Sequence, residues 1–417
     1  MPETKKAAFT ERKYVVTLLF VASLFMMWGV SMTMGDVLNK HFKAVLHLST
    51  SRSTLIQFSI FAAYPVMGIP AGLFMKRYGY KNGALLGLLL FACGAFLFIP
   101  AANAASFTFF RVSLFILACG MATLETVAHP FIASLGSQET SAQRLNFGQG
   151  FNGIGGIIGP LLGGYFILKA GQQHSNDLYS VKMVYTVIGC VILAIAFAFL
   201  FLKVPPIIEE LLNEDGTKLV IAEADAKPKS LKRLFQHRHF VWAIVAQFCN
   251  VAAQAGVWAL FVIYGVTIMK LPGEKASYFF ALSMVLKTGS RFLAAFVFLR
   301  YIKPNKFLAV FALCCIAMCL ITAQAYGWVS FIALMMLIGF MGVMYPTIYS
   351  LGLKDLGTYK QQASSFIVLG VAGGAVFPYL MGLIADHNLA AAYYLPIICY
   401  AFIFLFAVKL SKVSIRH

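Results

Sequence analysis

The sequence has few charged residues and, among those, few acids. Only 12% of its 417 residues are Asp, Glu, Lys or Arg, whereas 60% are hydrophobic. This balance excludes an ordinary soluble domain and is typical of a chain whose main solvent is lipid. Acids number 15 against 33 basic residues, and the basic residues lie mainly in short segments between apolar runs. That distribution indicates the positive-inside pattern of membrane proteins and not a nucleic-acid-binding surface.

The eight cysteines include no Cys-x-x-Cys motif and lie mostly inside apolar runs. This pattern favours small buried side chains, so we predict no metal site and no cofactor, with a metal or disulfide role as the alternative. The N-terminus is basic at Lys5 and Lys6, but no small-residue cleavage site follows the apolar run from Tyr14 to about Gly35. The run is therefore predicted to be a first membrane span and not a signal peptide.

Apolar runs long enough to cross a bilayer recur along the chain. Twelve are predicted, at about 14–38, 52–75, 83–102, 106–134, 143–169, 181–202, 239–269, 275–300, 305–323, 325–353, 361–385 and 392–411. The longest polar interruption divides them six and six, and the basic loop residues favour cytoplasmic termini. The predicted parts are a cytoplasmic N-terminus, a six-helix bundle, a cytoplasmic linker, a second six-helix bundle and a cytoplasmic tail, at 1–13, 14–202, 203–238, 239–411 and 412–417.

The two halves repeat one pattern of glycine and proline. Gly155-Gly156 precedes Pro160 and Gly164, and Gly373-Gly374 precedes Pro378 and Gly382 with the same spacing. His129-Pro130 is likewise matched by Tyr345-Pro346. Two echoes at about half the chain length predict parallel repeats related by an axis along the membrane normal. The alternative is that Gly and Pro are simply common in membrane helices.

A carboxylate lies inside an apolar run at Glu125, slightly past the middle of the span 106–134. Because an acid at this depth is costly, it should face a protein interior or a watery cavity and carry a function. His129 is four residues on and lies on the same helix face, and Pro130 loosens the helix there. The alternative for Glu125 is a buried ion pair with Lys287 or Arg291.

A second acid, Asp36, lies toward the outer end of the first span. Two carboxyls at different depths can pass a proton inward, so Asp36 and Glu125 are predicted to be proton-handling residues. An acid at the membrane interface is the alternative interpretation of Asp36.

Amide side chains are plentiful at hydrocarbon depth, where each is costly unless it is paired. They recur at helical spacing and are candidates to bind a polar substrate: Gln57, Gln149, Asn152, Gln247, Asn250 and Gln254. Trp258 and Tyr345 are the aromatic candidates, and His129 is a further one. Hydrogen bonding between helices is the alternative for any single amide, and simple packing is the alternative for each aromatic residue.

Two six-helix bundles around a central cavity are the architecture of the major facilitator superfamily. The loop Gly72-Leu73-Phe74-Met75-Lys76-Arg77-Tyr78-Gly79-Tyr80-Lys81 resembles a degenerate form of that superfamily's signature. A more specific set runs through both halves: Trp28…Asp36-Val37-Leu38, Leu55-Ile56-Gln57, Ile69-Pro70-Ala71-Gly72, Leu124-Glu125-Thr126, Arg144-Leu145-Asn146, Gln149…Phe151-Asn152, Ala246-Gln247-Phe248-Cys249 and Tyr345-Pro346-Thr347-Ile348. This set resembles the fucose–galactose–glucose proton symporters, a bacterial family within the superfamily.

The resemblance implies L-fucose permease-like transport, with Asp36 and Glu125 at the positions of the two proton-handling acids. It implies that Gln149 and Asn152 contact sugar and that Tyr345 is a cavity aromatic. Three departures leave the exact sugar open, because His129 stands where the pattern has an amide, and Thr33 and Gly35 replace amides before Asp36.

The expected function is import of a monosaccharide, L-fucose or a related hexose, by proton symport with alternating access. The alternatives are another sugar or an amino sugar such as N-acetylglucosamine, a proton-coupled drug antiporter of the same fold, and a non-transporting sugar sensor. A membrane-embedded enzyme is not expected, because Glu125 and His129 lack the second His of a zinc helix. We expect a monomer in the bacterial inner membrane whose partners are sugar, protons and lipid.

Overall fold

The computed structural model describes residues 7–45, 50–163, 178–204, 208–212, 218–222 and 231–413. Along 35–45, 50–58 and both strands, and at a few single positions, the description covers the backbone alone. The α-helices in these ranges are α1 (Val15–Val45), α2 (Thr50–Phe96), α3 (Phe98–Asn103), α4 (Phe107–Ser134), α5 (Ser141–Gly163), α6 (Leu178–Phe201), α7 (Leu231–Leu234), α8 (Arg238–Thr267), α9 (Gly273–Leu293), α10 (Leu299–Tyr301), α11 (Pro304–Ala323), α12 (Trp328–Met341), α13 (Met344–Gly352), α14 (Lys360–Val368), α15 (Gly373–Ala385) and α16 (Leu395–Leu405).

Ten segments of the described residues are helical, long and apolar enough to cross a membrane. One of them, Ala62–Asn103, has 42 residues, which at 1.5 Å per residue is roughly 63 Å, about twice the hydrocarbon thickness. It therefore covers two predicted spans. Helix α5 is not among the ten, and it carries the polar side chains of Gln143, Arg144 and Asn146. The ten segments are consistent with the twelve-helix arrangement expected from the sequence.

The two predicted spans within α2 meet at Gly79, whose backbone has φ 80° and ψ 172°. Glycine reaches this conformation without a steric penalty, so the chain turns there between the two apolar runs. Nearby, the Lys81 ammonium donates hydrogen bonds to the carbonyl oxygens of Leu200 and Leu202, at 2.8 and 2.9 Å. Lysine stabilises this helix end because the last carbonyls of α6 have no partner within the helix and carry partial negative charge.

The chain divides into two compact units. The N-terminal unit comprises Lys13–Phe131 and Phe151–Pro206, and the C-terminal unit comprises Met1–Arg12, Ile132–Gly150 and Ile207–His417. The C-terminal unit thus includes the end of α4 and the first half of α5. The sequence-based boundaries at the linker 203–238 remain a prediction.

Within each unit, a glycine of the predicted repeat packs against the first helix of that half. A Cβ atom at Gly155 would overlap the carbonyl oxygen of Met26 in α1, and one at Gly373 would overlap the carbonyl oxygen of Phe248 in α8. Both close approaches need a residue without a side chain. The equivalent packing supports the internal repeat predicted from the spacing, although Gly164 lies outside the described residues.

The predicted linker contains a short hairpin that was not expected from the sequence. Strand β1 (Ile208–Leu212) pairs antiparallel with β2 (Lys218–Ala222), with Ile208 opposite Ala222 and Leu212 opposite Lys218. The intervening sequence is Asn-Glu-Asp-Gly-Thr, and Asp-Gly is a turn signal between strands. The membrane part of the fold remains all-helical.

Arg144 stabilises the segment that connects α4 to α5 within the C-terminal unit. Its side chain has no exposed surface. The guanidinium donates five hydrogen bonds of 2.6–3.0 Å, to the carbonyl oxygens of Ile132, Ala133, Ser137 and Phe9 and to the Thr140 hydroxyl. Arginine carries five N–H donors in a fixed planar arrangement, and the acceptors of this site satisfy all five.

Candidate functional site

In the N-terminal unit, Glu125 is buried within α4 with 3% of its surface exposed. The hydroxyl of Tyr64, a buried residue of α2, hydrogen-bonds to the Glu125 carboxyl. The same hydroxyl accepts a hydrogen bond of 3.2 Å from the Trp28 indole N–H in α1. A phenol can accept one hydrogen bond while it donates another, so Trp28, Tyr64 and Glu125 form a chain across three helices. Tyr64 was not among the residues predicted from the sequence.

His129 lies one turn beyond Glu125 in α4 and is fully buried. Its Nδ1 is 2.7 Å from the backbone carbonyl oxygen of Glu125, and its ring meets the Phe25 ring edge-on with centroids 4.9 Å apart. A carbonyl oxygen only accepts, so Nδ1 carries the proton and donates. In the neutral ring, Nε2 is then the acceptor. His129 is therefore fixed in orientation beside the acid.

Asn152 lies where α5 packs closely on α1. Its amide nitrogen donates to the carbonyl oxygen of Phe25 at 3.3 Å, and a Cβ at Gly29 would overlap the carbonyl oxygen of Asn152. The Asn152 side chain is half-buried and makes a bond between helices, which is the alternative role expected for any single amide. The side chains of Asp36 in α1 and Gln57 in α2 lie outside the described part, so their predicted roles remain predictions.

In the C-terminal unit, α8 presents amides and an indole along one face, since Gln247, Asn250, Gln254 and Trp258 follow at intervals of three and four residues. Gln247 and Asn250 are buried. Within the described part of the chain, neither the nitrogen nor the oxygen of either amide has a hydrogen-bond partner, and the buried Trp258 N–H also has none. Gln254 is half-buried on the same face. We call these four residues the α8 stripe.

Two cations of α9 lie in the same unit. The Lys287 ammonium is 4.0 Å from the centroid of the Trp258 ring. Arg291 is buried and donates through Nε to the carbonyl oxygen of Gly342 at 2.9 Å and through a terminal nitrogen to the carbonyl oxygen of Gln149 at 2.7 Å. Gln149 thus contacts Arg291 through its backbone. The alternative ion pair of Glu125 with either cation stays a prediction.

Tyr345 is buried at the start of α13. Its ring stacks on that of Tyr349 with centroids 6.5 Å apart, and its hydroxyl interacts electrostatically with Arg291. The structure therefore brings the Gln149 backbone to Arg291, and Trp258 of the α8 stripe to Lys287.

The eight cysteines, all of which are described, are free thiols. Among the residues that the structure describes, no group of three His, Cys, Asp or Glu side chains is placed to hold a metal ion.

Repeated membrane helices that bury acids, cations and amides define a class of protein, the membrane transporter. Comparison with known proteins agrees with this class. The chain matches the family model of the Major Facilitator Superfamily over residues 19–378. It is 36% identical to the L-fucose-proton symporter of Escherichia coli (strain K12), with 96% of this chain and 94% of that protein covered. It is 33% identical to the glucose/galactose transporter of Brucella abortus biovar 1 (strain 9-941), with 97% and 96% covered.

The fold is similar to the crystal structure of FucP, a transporter of the same superfamily, in the outward conformation. The TM-score is 0.84 at 34% identity, with 97% of this chain and 100% of that chain covered. The chain therefore belongs to the Major Facilitator Superfamily and, within it, to the family of the L-fucose-proton symporters and glucose/galactose transporters. The predicted resemblance is confirmed, and the chain is a multi-pass transporter and not an enzyme.

Proposed function

We propose that the chain is a secondary active transporter that imports a monosaccharide, L-fucose or a related hexose, together with protons. Relatives covered over nearly their whole length are named for L-fucose-proton symport and for glucose/galactose transport. In this proposal the protein is a monomer of the bacterial inner membrane, has both termini in the cytoplasm, and works by alternating access of its two halves.

The α8 stripe is the observation that carries the sugar assignment. The amides of Gln247 and Asn250 are buried and have no partner among the described residues. A buried polar group left in this state costs about 1–3 kcal/mol. Sugar hydroxyls both donate and accept, so they match amides, which carry both kinds of group on one plane. A bound sugar recovers this cost, whereas a lipophilic drug does not.

Glu125 is the candidate carrier of the coupling proton, with Asp36 as the second acid of the relay. Tyr64 hydrogen-bonds to the Glu125 carboxyl, which fixes the carboxyl in place. One proton crossing 100 mV releases about 2.3 kcal/mol, enough for roughly fiftyfold accumulation of sugar.

The substrate assignment is tested by competition among L-fucose, D-galactose, D-glucose and N-acetylglucosamine for binding to the purified protein. Binding of at least one of these sugars in the millimolar range or tighter is expected. If none binds while lipophilic cations do, the sugar assignment is wrong and the drug antiporter takes its place.

Coupling is tested with Glu125→Gln in vesicles that carry an imposed proton gradient. Glutamine keeps the shape of the side chain and still accepts the Tyr64 hydrogen bond, but it cannot carry a proton. We expect active accumulation to fall to the equilibrium level, while exchange of labelled sugar between equally loaded sides persists.

The matched control is Glu139→Gln, because Glu139 is an exposed acid in a short 3-10 turn and should leave accumulation unchanged. If Glu125→Gln vesicles still concentrate sugar against its gradient, Glu125 is not the proton carrier and Asp36 becomes the sole candidate.

A further inference from the structure

Lys287 lies at the centre of its membrane span. The span Gly273–Tyr301 has 29 residues, and Lys287 is 14 residues from either end, which corresponds to roughly 21 Å of helix. A lysine side chain is about 6 Å long and cannot extend to either interface from there. Only 8% of its surface is exposed. An ionisable group at this depth is costly and indicates a functional site.

The fold makes room for this side chain. A Cβ at Gly342 would come within 2.7 Å of the Lys287 Cγ atom, so the glycine between α12 and α13 is needed for the lysine stem to pass. Beyond the stem, the ammonium lies over the Trp258 ring at 4.0 Å. A cation–π contact recovers only part of the free energy that desolvation of an ammonium costs. The ring therefore orients the ammonium and does not neutralise it.

No acid of the spans between residues 238 and 411 lies at the depth of Lys287. Residues 238–411 contain three acids, Glu274, Asp355 and Asp386. Glu274 is in the first turn of α9, 13 residues or roughly 20 Å from Lys287. Asp355 follows the end of α13, and Asp386 follows the end of α15. All three are therefore at the ends of spans and not at the depth of Lys287.

The neighbouring cation on α9 is held by backbone groups. Arg291 lies one turn further along α9, and its guanidinium is bound by the backbone carbonyls of Gly342 and Gln149. Among the described residues of 238–411, no carboxylate forms an ion pair with Lys287.

The Lys287 ammonium lies next to the α8 stripe, because Trp258 is both the ring beneath the ammonium and a member of the stripe. We propose that the substrate bound here is a sugar that carries a carboxylate, a hexuronate, and that Lys287 binds the carboxylate while Gln247 and Asn250 bind hydroxyls. The carboxylate supplies the missing negative charge, and a hydrogen-bonded ion pair is the arrangement that buried charges require. This inference rests on the proposed function, since it names the substrate class of the same site.

The test uses matched pairs of sugars that differ at C6 alone: D-galacturonate against D-galactose, and D-glucuronate against D-glucose. Binding to the full-length purified protein is measured by isothermal titration calorimetry at constant ionic strength. We expect the uronate of at least one pair to bind about tenfold more tightly than its neutral partner or better, which corresponds to roughly 1.4 kcal/mol.

Three variants assign that preference to Lys287. Lys287→Met should abolish it, so that uronate and neutral sugar bind alike, whereas Lys287→Arg should keep it. Lys275→Met, on the exposed first turn of the same helix, should behave like the unmodified protein. If Lys287→Met does not fold, the ratio of uronate to neutral affinity in the unmodified protein still decides.

Two results overturn the inference while the proposed function stands: neutral hexoses that bind as tightly as their uronates, or a uronate preference that survives in Lys287→Met. The first would mean that an acid of the chain neutralises Lys287. Failure of every sugar to bind, neutral and acidic alike, refutes the proposed function itself and the inference with it.

Discussion

Arg144→Lys should destabilise the protein strongly although it keeps the charge. The arginine donates five hydrogen bonds, four of them to backbone carbonyls between Phe9 and Ser137. Lysine has three donors at a single nitrogen, so at least two of the five hydrogen bonds are lost. The side chain is fully buried, and each hydrogen bond lost there costs about 1–3 kcal/mol. The expected loss of unfolding free energy is therefore about 2–6 kcal/mol.

The measurement is thermal unfolding in detergent, followed by tryptophan fluorescence, for the unmodified protein and the variant. Arg300→Lys is the matched control, because Arg300 is exposed and its guanidinium lies 5.9 Å from the Tyr301 ring. We expect the midpoint of Arg144→Lys to fall by several degrees while that of Arg300→Lys changes by less than about one, the usual size of a surface effect. Equal midpoints for the two variants would show that the guanidinium fork is not what stabilises this connection.

Two further changes test other contacts. Asn152→Ala should weaken sugar binding by about 1–3 kcal/mol, the cost of one unpaired hydroxyl, with little change in expression; unchanged binding in a titration would assign Asn152 to its contact with the Phe25 carbonyl. Gly373→Ala should lower the unfolding midpoint by an amount equivalent to about 1–3 kcal/mol, because its methyl group would overlap the Phe248 carbonyl. Gly382→Ala on the same helix has open space, so it should be neutral or slightly stabilising, and equal midpoints would contradict this account of the repeat.

The sequence predicts the helices and the repeat well because both depend on local patterns. Apolar runs of bilayer length identify spans without knowledge of their neighbours. The glycine pairs at 155 and 373 are visible because a close helix approach needs a residue without a side chain in both halves. Their partners, Met26 and Phe248, carry no such signal, since a backbone carbonyl is present at every residue.

Breaks within spans are harder to predict because distant residues produce them. The run 325–353 is predicted as one helix, yet the structure has α12 ending at Met341 and α13 beginning at Met344. Between them, the carbonyl oxygen of Gly342 accepts a hydrogen bond from Arg291. This hydrogen bond joins Gly342 to α9, some fifty residues away. The hydropathy of residues 325–353 therefore does not reveal it.

Tyr64 is a similar case within the candidate site. It is 61 residues from Glu125, and a tyrosine in a membrane span is usually a packing or interface residue. The chain from Trp28 through Tyr64 to Glu125 exists only after α1, α2 and α4 have packed. The sequence therefore identifies the acid and not the group that orients it.

Lys287 and Arg291 make different contacts, and their spacing along α9 does not predict the difference. Four residues apart on α9, they share a face and are, by sequence, equal candidates for an ion pair with Glu125. In the structure, backbone carbonyls of Gly342 and Gln149 bind the Arg291 guanidinium, while the Lys287 ammonium faces an aromatic ring. A planar fork held by fixed carbonyls is suited to a structural role, whereas an ammonium over a ring still has N–H donors for a ligand. Since those carbonyls come from other helices, the pattern of α9 alone does not reveal which cation is available to substrate.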